Sequence, residues 1–349
     1  MFFYICQLFL YSSFLFLYTK ANNKDVSFTI KIICFAILFI PAALRYEVGT
    51  DYNSYHIIFD NINQRNIITV EPGFVLLNKL VYYLTFSCQG VFFLASLFTY
   101  FFIFYANDKK TSLYLFSFYI FYYTFSFNIV RNMMAISVVI FGFVQLFHDK
   151  KKVGFLFILI ALLFHSSAIF YVPVYLLAIF WKNLSKRKIL LFAILLIFLS
   201  RNIDKILEVI TSVNGKYSHY LLYGNFMSES QTNSGLGVIL RFTMLFMSYL
   251  ITDERKMSPI EFRVQSLLFL ALLLADLFCL KVNIFGRLVV CFYLYYIFFF
   301  RNFSFKSNSS HLVLITKISI FVYYFFFFFV MGLLTNQNDP IPYKIYNIF

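Results

Sequence analysis

Apolar segments recur from one end of the chain to the other, separated by short polar intervals. Most are long enough for a helix that crosses the membrane, which needs about 17–25 residues. The pattern therefore predicts an all-α, polytopic transmembrane helical bundle of about 10–12 spans plus a half-inserted helix. We expect one integral membrane domain over residues 1–349, with its first span retained rather than cleaved as a signal peptide. The predicted spans are 2–18, 26–44, 90–106, 112–127, 129–147, two short helices within 153–181, 189–200, 238–251, 264–280, 288–300 and 312–334.

Two polar intervals are much longer than the others and are predicted to be extracytoplasmic loops. The first covers 45–72 and contains Gly49, which permits a tight turn. The second covers 201–237, contains Arg201 and His219, and is rich in Ser, Asn and Gly near its end. Polar segments of this length are often lids or binding loops, so we expect the second to close over a substrate.

Basic residues set the predicted orientation. They cluster at 107–111, 148–152, 182–188, 253–263 and 301–311, which the positive-inside rule places in the cytoplasm, with both termini outside. If 73–86 crossed the membrane, Lys109 and Lys110 would lie outside. We therefore expect 73–86 to lie half-inserted or in the membrane plane, which keeps both lysines in the cytoplasm. It also requires 153–181 to form a hairpin that turns at His165 on the outer side.

Composition excludes several classes of protein. Of the 349 residues, 61% are hydrophobic and 13% are charged, too apolar a mixture for a soluble domain. The net charge of +14 resides in short loops between spans, so it indicates topology and not nucleic-acid binding. The five cysteines have neither paired nor metal-ligand spacing, and we predict no disulfide.

Charged residues with the chemistry for an anionic substrate collect on the predicted outer side. Arginine grips phosphate through a planar fork of donors, so several on one side indicate a diphosphate on a lipid carrier. The alternative is that each arginine extends to the lipid headgroups, and that His165 is a packing residue. Asp51 and Glu71 lack the spacing of a metal site, and no metal is predicted. The outer residues are Arg45, Asp51, Glu71, Arg131, His165, Arg201, His219, Arg241 and Arg287.

Four short motifs in this region resemble those of one family. The first is Arg45-Tyr46-x-Val48-Gly49-Thr50-Asp51-Tyr52-x-x-Tyr55, followed by Glu71-x-Gly73-Phe74 with Leu77-Asn78, by Arg131-Asn132-x-x-Ala135 and by Phe164-His165-x-Ser167-Ala168. In this order they resemble the EpsG family, the Wzy-type polymerases of bacterial exopolysaccharide, capsule and O-antigen. Asn132 departs from the Gln usual in that family, and Arg287 fits a late arginine at the membrane edge.

The resemblance implies a polytopic polymerase of GT-C-like architecture in the bacterial cell (inner) membrane. A growing glycan would pass from undecaprenyl diphosphate to a new lipid-linked repeat unit, without a metal or other cofactor. Asp51, Glu71 or His165 would accept the proton of the acceptor hydroxyl. A chain-length regulator and a flippase would be partners, and nucleic acid would not. The implied substrate-binding residues are Arg45, Tyr52, Tyr55, Arg131, Asn132, Arg241 and Arg287.

Two other functions compete with this one. A flippase for lipid-linked oligosaccharides would place charge along a central cavity, whereas the charge here collects on one side. A membrane acyltransferase that modifies the polysaccharide would take its donor from the cytoplasm, where no paired His or Arg occurs.

Overall fold

The computed structural model describes residues 1–64, 69–107, 112–200, 235–280, 285–303, 311–336 and 338–346. About 80% of the structure is helical, and the described residues form no β-strand. The all-α polytopic fold predicted from the sequence is confirmed. The helices are α1 Phe2–Lys20, α2 Lys24–Leu44, α3 Tyr52–Asn63, α4 Pro72–Thr85, α5 Gln89–Tyr105, α6 Ser112–Tyr122, α7 Val130–Phe147, α8 Lys151–Ala161, α9 Tyr171–Phe180, α10 Lys186–Leu199, α11 Leu236–Leu250, α12 Pro259–Cys279, α13 Gly286–Phe292, α14 Leu294–Arg301 and α15 His311–Phe327.

Several of these helices have the length and composition of membrane spans. Five described segments are long and apolar enough to cross a bilayer, and this is a membrane protein. Four shorter apolar helices accompany them, at Gln89–Tyr105, Leu113–Tyr122, Ser166–Phe180 and Gly237–Leu250. The number of crossings, about 10–12, stays a prediction. The five long segments are Phe2–Lys20, Lys24–Leu44, Val130–Phe147, Pro259–Cys279 and His311–Leu334.

The chain divides into two compact units, Met1–Pro173 with Val322–Phe349, and Val174–Phe321. Helix α7 is the centre of the first unit and packs against α5 and α8. It carries apolar residues on all sides, from Met133 to Val144, as expected of a helix surrounded by protein. Helix α2 packs against α1 and α5, and α4 packs against α3 and α5.

The second unit is built around α12, which packs against α10, α11, α13 and α14. Its start is fixed by a capping box, in which Ser258 and Glu261 satisfy each other's backbone N–H groups. Glu261 also forms a buried ion pair with Arg301 at the end of α14. Buried pairs of this kind are strongly destabilising when one partner is removed.

The predicted loop 45–72 contains a helix that we did not predict. Helix α3 presents one buried face of Tyr52, Tyr55, Phe59 and Ile62, spaced by three or four residues as in an amphipathic helix. Helix α4 begins at Pro72, close to the expected start of the half-inserted segment, and whether it is half-inserted stays a prediction.

The predicted break in 153–181 is confirmed. Helix α8 ends at Ala161, and a 3₁₀ turn over Ser166–Phe170 follows His165. Two further expected spans are interrupted: 112–127 ends in a 3₁₀ turn at Phe125–Phe127, and 288–300 is divided at Tyr293. The second long loop falls outside the described residues up to 234, so its closure over substrate, with Arg201 and His219, stays a prediction.

Candidate active site

Three separated segments of the chain meet in the first unit through Glu71. Its carboxylate Oε2 lies 2.6 Å from Nη1 of Arg131, at the start of α7. Its Oε1 accepts a hydrogen bond of 3.1 Å from the backbone N–H of Ser166, in the break that follows α8. The side chains of Arg131 and Glu71 are 25% and 17% exposed, so the pair is sheltered but reachable.

Glu71 is held in its ionised form. Burial alone would raise the pKa of this carboxyl group, but the backbone N–H groups of Glu71 and Ser166, together with Arg131 and His165, lower its pKa below the ordinary value. Each of these partners favours the negative charge. Glu71 is thus a carboxylate at neutral pH and, in this state, a weak proton acceptor.

Gly73 explains how the start of α4 comes so close to the break after α8. Its backbone N–H donates to the carbonyl of Leu163 over 2.8 Å. A Cβ on Gly73 would lie 2.7 Å from that same carbonyl oxygen, which is closer than carbon and oxygen can approach. Glycine at this position therefore allows Glu71 to reach Ser166.

His165, Ser167 and Asn132 form the second part of the network. The Ser167 hydroxyl donates to Oδ1 of Asn132 over 2.8 Å, and the backbone N–H of Ser167 donates to Nδ1 of His165 over 3.1 Å. His165 thereby caps the 3₁₀ turn. Nδ1 also lies 2.7 Å from the Ser167 hydroxyl, and which of these two groups donates depends on the tautomer of the ring. His165 belongs to the network through Nδ1 in either tautomer.

Buried aromatic residues pack in the same unit as this network. Tyr52 stacks on Phe92 with ring centroids 4.9 Å apart, and Tyr55 lies edge-on to Phe74. Both tyrosines are almost fully buried in a cluster that also contains Val130. Burial raises the pKa of Tyr55, and the charge of Arg131 opposes that shift. The role of both tyrosines in binding substrate stays a prediction.

Arg45 and Asp51 begin the first motif. Arg45 is 1% exposed, and its guanidinium donates to the carbonyl groups of Ala42 and Phe127. Its Cζ also lies 4.3 Å from the centroid of the Phe92 ring. These contacts stabilise the turn after α2, whereas the predicted role of Arg45 in substrate binding is untested. Asp51 is half-buried and directly precedes α3.

The C-terminal segment holds the same turn from the other side. Gly49 has a φ of 102°, and its N–H donates to the carbonyl of Asp339. A Cβ at Gly49 would lie 2.7 Å from Oδ1 of Asn128. Asn128 in turn donates from Nδ2 to Asn338, and Lys344 pairs with Glu47 over 2.7 Å. Residues 338–346, here called the C-terminal strap, thus fix the motif from Arg45 to Gly49.

The family follows from comparison with known proteins. A model of the EpsG family matches residues 28–345, nearly the whole chain, including the segments that meet at Glu71 and the C-terminal strap. The chain belongs to the EpsG family. The search of curated proteins gave no match, and the search of solved structures gave none. Membership in EpsG supports a role of the polysaccharide repeat-unit polymerase type.

In this EpsG member, the second motif (Glu71 to Phe74), the third (Arg131 to Ala135) and the fourth (Phe164 to Ala168) converge in space. Their order along the sequence indicates the family, but it does not indicate that they touch. Ser167 joins the third motif to the fourth, and we had not predicted it as a site residue. Its hydroxyl within the broken apolar segment was the available signal.

Two predicted arginines belong to the second unit of this EpsG member. Arg241, in the second turn of α11, lies 3.4 Å from Oδ1 of Asp276, measured from Nε. Asp276 is 1% exposed and sits in the last turn of α12, and sequence reasoning missed it. Arg287 is exposed in the first turn of α13. The substrate-binding roles of Arg241 and Arg287 stay predictions.

Proposed function

We propose that this protein is a polymerase of bacterial surface polysaccharide that acts on the extracytoplasmic face of the cell membrane. It transfers a growing glycan from undecaprenyl diphosphate to a hydroxyl of a new lipid-linked repeat unit. The bond between the anomeric carbon and the diphosphate oxygen breaks, and a glycosidic bond forms. The hydroxyl proton goes to a base, and undecaprenyl diphosphate leaves.

The observation that carries this proposal is the convergence of Glu71, Arg131, Asn132, His165 and Ser167 in one partly exposed network. Glu71 occupies Nη1 of Arg131, while the side chain of Arg131 remains 25% exposed. A guanidinium in this state retains capacity for the oxygens of a diphosphate. Arg131 is therefore the residue that we assign to the leaving group.

The ion pair between Glu71 and Arg131 also suggests how Glu71, a weak base in the free protein, becomes a stronger one when substrate binds. Arg131 is one cause of the lowered pKa of Glu71. When a diphosphate takes over the guanidinium, that pKa rises and the carboxylate becomes a better acceptor for the hydroxyl proton. We assign to the imidazole of His165, in the same network, a hydrogen bond with the substrate. In this scheme the general base is a carboxylate, and we assign it to Glu71 in preference to Asp51.

The experiment is reconstitution of the purified protein in liposomes with lipid-linked repeat units, with the product ladder resolved by size. We expect the wild-type protein to form a ladder and Glu71→Gln to form none. The matched control is Glu47→Gln, which removes a carboxylate from the exposed pair with Lys344 in the same unit. It should form the wild-type ladder.

The same liposomes separate the polymerase from the two alternatives. Translocation of the lipid-linked unit without any ladder would identify a flippase. Transfer of an acyl group onto the glycan would identify an acyltransferase. A full ladder from Glu71→Gln would remove the assigned base from the mechanism.

A further inference from the structure

The ring of Phe74 lies beside the guanidinium of Arg131. Cζ of Arg131 is 5.9 Å from the centroid of that ring. A guanidinium within about 6 Å of a ring centroid is attracted to the negative face of the ring, and more strongly where water is excluded. Phe74 is fully buried, whereas the side chain of Arg131 is 25% exposed. The contact thus joins a buried ring to the partly exposed group that we assign to the diphosphate.

The first turn of α4 supplies two groups that contact Arg131. Glu71 is the N-cap residue of this helix, and the backbone N–H of Phe74 donates to the carbonyl of Glu71 over 3.1 Å. The carboxylate of Glu71 lies 2.6 Å from Nη1 of Arg131, and the Phe74 ring lies beside the same guanidinium. A contact through one nitrogen fixes the position of a planar fork of donors but not its plane. A ring beside the fork restrains the plane as well.

Neighbouring aromatic rings hold Phe74 in place. Tyr55 lies edge-on to Phe74, with ring centroids 5.9 Å apart, and edge-on to Phe92, with centroids 6.1 Å apart. The centroid of the Phe92 ring lies in turn 4.3 Å from Cζ of Arg45. The three rings belong to one buried cluster, and none is more than 5% exposed. In a close-packed interior the Phe74 ring cannot tilt without displacing these neighbours, so it keeps one plane.

We propose that Phe74 is a positioning residue for Arg131 and that its ring sets the plane in which the guanidinium meets the diphosphate. This role depends on the proposed function, in which Arg131 binds the leaving group. A guanidinium donates two parallel hydrogen bonds to a diphosphate only when its plane is aligned with the acceptor oxygens. Negative charge grows on those oxygens as the anomeric bond breaks, so a misaligned fork slows the chemical step more than it weakens binding of the repeat unit. Loss of the ring therefore lowers kcat and has little effect on KM.

The test compares polymerisation kinetics in liposomes, per amount of folded protein, for Phe74→Leu and a matched control, Phe59→Leu. Phe59 is 4% exposed in the same cluster, and its ring centroid lies 6.0 Å from that of Tyr82. Leucine keeps a buried apolar side chain but removes the ring, so both variants should unfold at a lower temperature. Only Phe74→Leu should lower kcat, by about five-fold, with KM for the repeat unit within about two-fold of the wild-type value. Should Phe74→Leu fail to fold, Phe74→Met replaces it, because methionine fills irregular space in a core.

Combination with Arg131→Lys separates positioning from packing. Lysine has no planar fork to orient, so Phe74→Leu should lower kcat by less than about two-fold in the Arg131→Lys protein. A ring that only filled the core would lower kcat by the same factor in both backgrounds. Equal factors in the two backgrounds, or a wild-type kcat for Phe74→Leu, would overturn the proposal.

Thermal unfolding of the purified protein tests the contact without any polymerisation. Phe74→Leu should lower the midpoint less in Arg131→Gln than in the wild-type protein, by about 1–2 °C, because the guanidinium that the ring contacts is absent. If the wild-type protein formed no ladder and this difference were found, the polymerase assignment would fall and the restraint of Arg131 by Phe74 would be supported. Equal losses of midpoint in the two backgrounds would overturn the proposal whether or not a ladder forms.

Discussion

Arg131 and Glu71 are joined by a contact of 2.6 Å between Nη1 and Oε2, although 60 residues separate them in the sequence. The positive charge at the start of α7 is therefore balanced by a protein carboxylate. A charge at this depth is unfavourable without such a partner. Of the two ways in which the sequence could accommodate Arg131, a ligand or a carboxylate, the structure supplies the carboxylate and leaves the side chain of Arg131 25% exposed.

Replacement of Arg131 by Lys tests whether the residue does more than balance Glu71. Lysine preserves the charge but loses the planar fork, and hydrogen bonds to charged groups contribute about 1.5–3 kcal/mol. We expect Arg131→Lys to insert at the wild-type level and to lower polymer yield by about ten-fold or more. Polymer is measured per amount of protein in the membrane.

The matched control for Arg131→Lys is Lys344→Gln, which breaks the exposed pair with Glu47. Exposed pairs contribute little, so polymer yield should be unchanged. If Arg131→Lys formed wild-type polymer, the residue would act only as a counterion.

His165 combines two roles that substitution can separate. Asparagine retains a side-chain acceptor that can cap the 3₁₀ turn, but it lacks the second nitrogen of the imidazole ring. We therefore expect His165→Asn to preserve thermal stability to within about 1 kcal/mol and to lose most polymer formation. Ser167→Ala removes the link to Asn132 and should lower both stability and activity. Wild-type polymer formation by His165→Asn would show that His165 only caps the 3₁₀ turn.

Gly73 allows a close approach that alanine forbids. The added Cβ would lie 2.7 Å from the carbonyl oxygen of Leu163 and must push the start of α4 away from the break after α8. Glu71 would then lose its contact with Ser166, so we expect Gly73→Ala to lose activity and to unfold at a lower temperature. Gly237→Ala is the control, because its added Cβ has no described atom within 4 Å beyond its chain neighbours and its own helix backbone. Similar losses from both substitutions would contradict this explanation.

The low pKa of Glu71 predicts a dependence of stability on pH. A carboxyl group whose pKa is lower in the folded state stabilises the fold above its ordinary value of 4.5 and loses this effect as pH falls through the folded value. The difference in unfolding temperature between wild-type protein and Glu71→Gln should be largest near pH 7. It should decrease below pH 4.5. A constant difference over that range would show that the charge of Glu71 does not stabilise the fold.

Topology is tested by the accessibility of single cysteines, introduced after removal of the five native ones. Ser166 is exposed in the break after α8 and is predicted to face outward. A membrane-impermeant thiol reagent applied to whole cells should label Ser166→Cys and not Lys150→Cys, in a predicted cytoplasmic loop. Labelling restricted to opened cells would place the network around Glu71 on the cytoplasmic side and contradict an extracytoplasmic polymerase.

The sequence predicted individual elements well but not how they meet. Apolar periodicity located most helices, and the polar residues at His165 located the break. The contact of Glu71 with Arg131 and Ser166 depends on the packing of Gly73 against Leu163, which no local pattern encodes. Helix α3 could have been predicted from the helical spacing of its aromatic residues. We interpreted the segment as a loop because the interval is polar overall.

The sequence analysis also did not single out Asp276, although its position made it predictable. An acid inside an apolar span is unfavourable without a partner, so its position alone indicated a counterion or a functional residue. Arg241, an arginine inside a neighbouring span, needed the same compensation. The pair could have been predicted from that requirement. The sequence analysis instead considered only the substrate and the lipid headgroups as partners of Arg241.

The C-terminal strap also imposes an order on biosynthesis. Glu47 and its partner Lys344 are 297 residues apart in the chain. At roughly 5–20 residues per second, the ribosome needs about 15–60 s to make the intervening sequence. During that interval the turn that carries the first motif is already inserted but lacks the hydrogen bonds that fix it. The first motif in the sequence is therefore the last to be fixed in the folded protein.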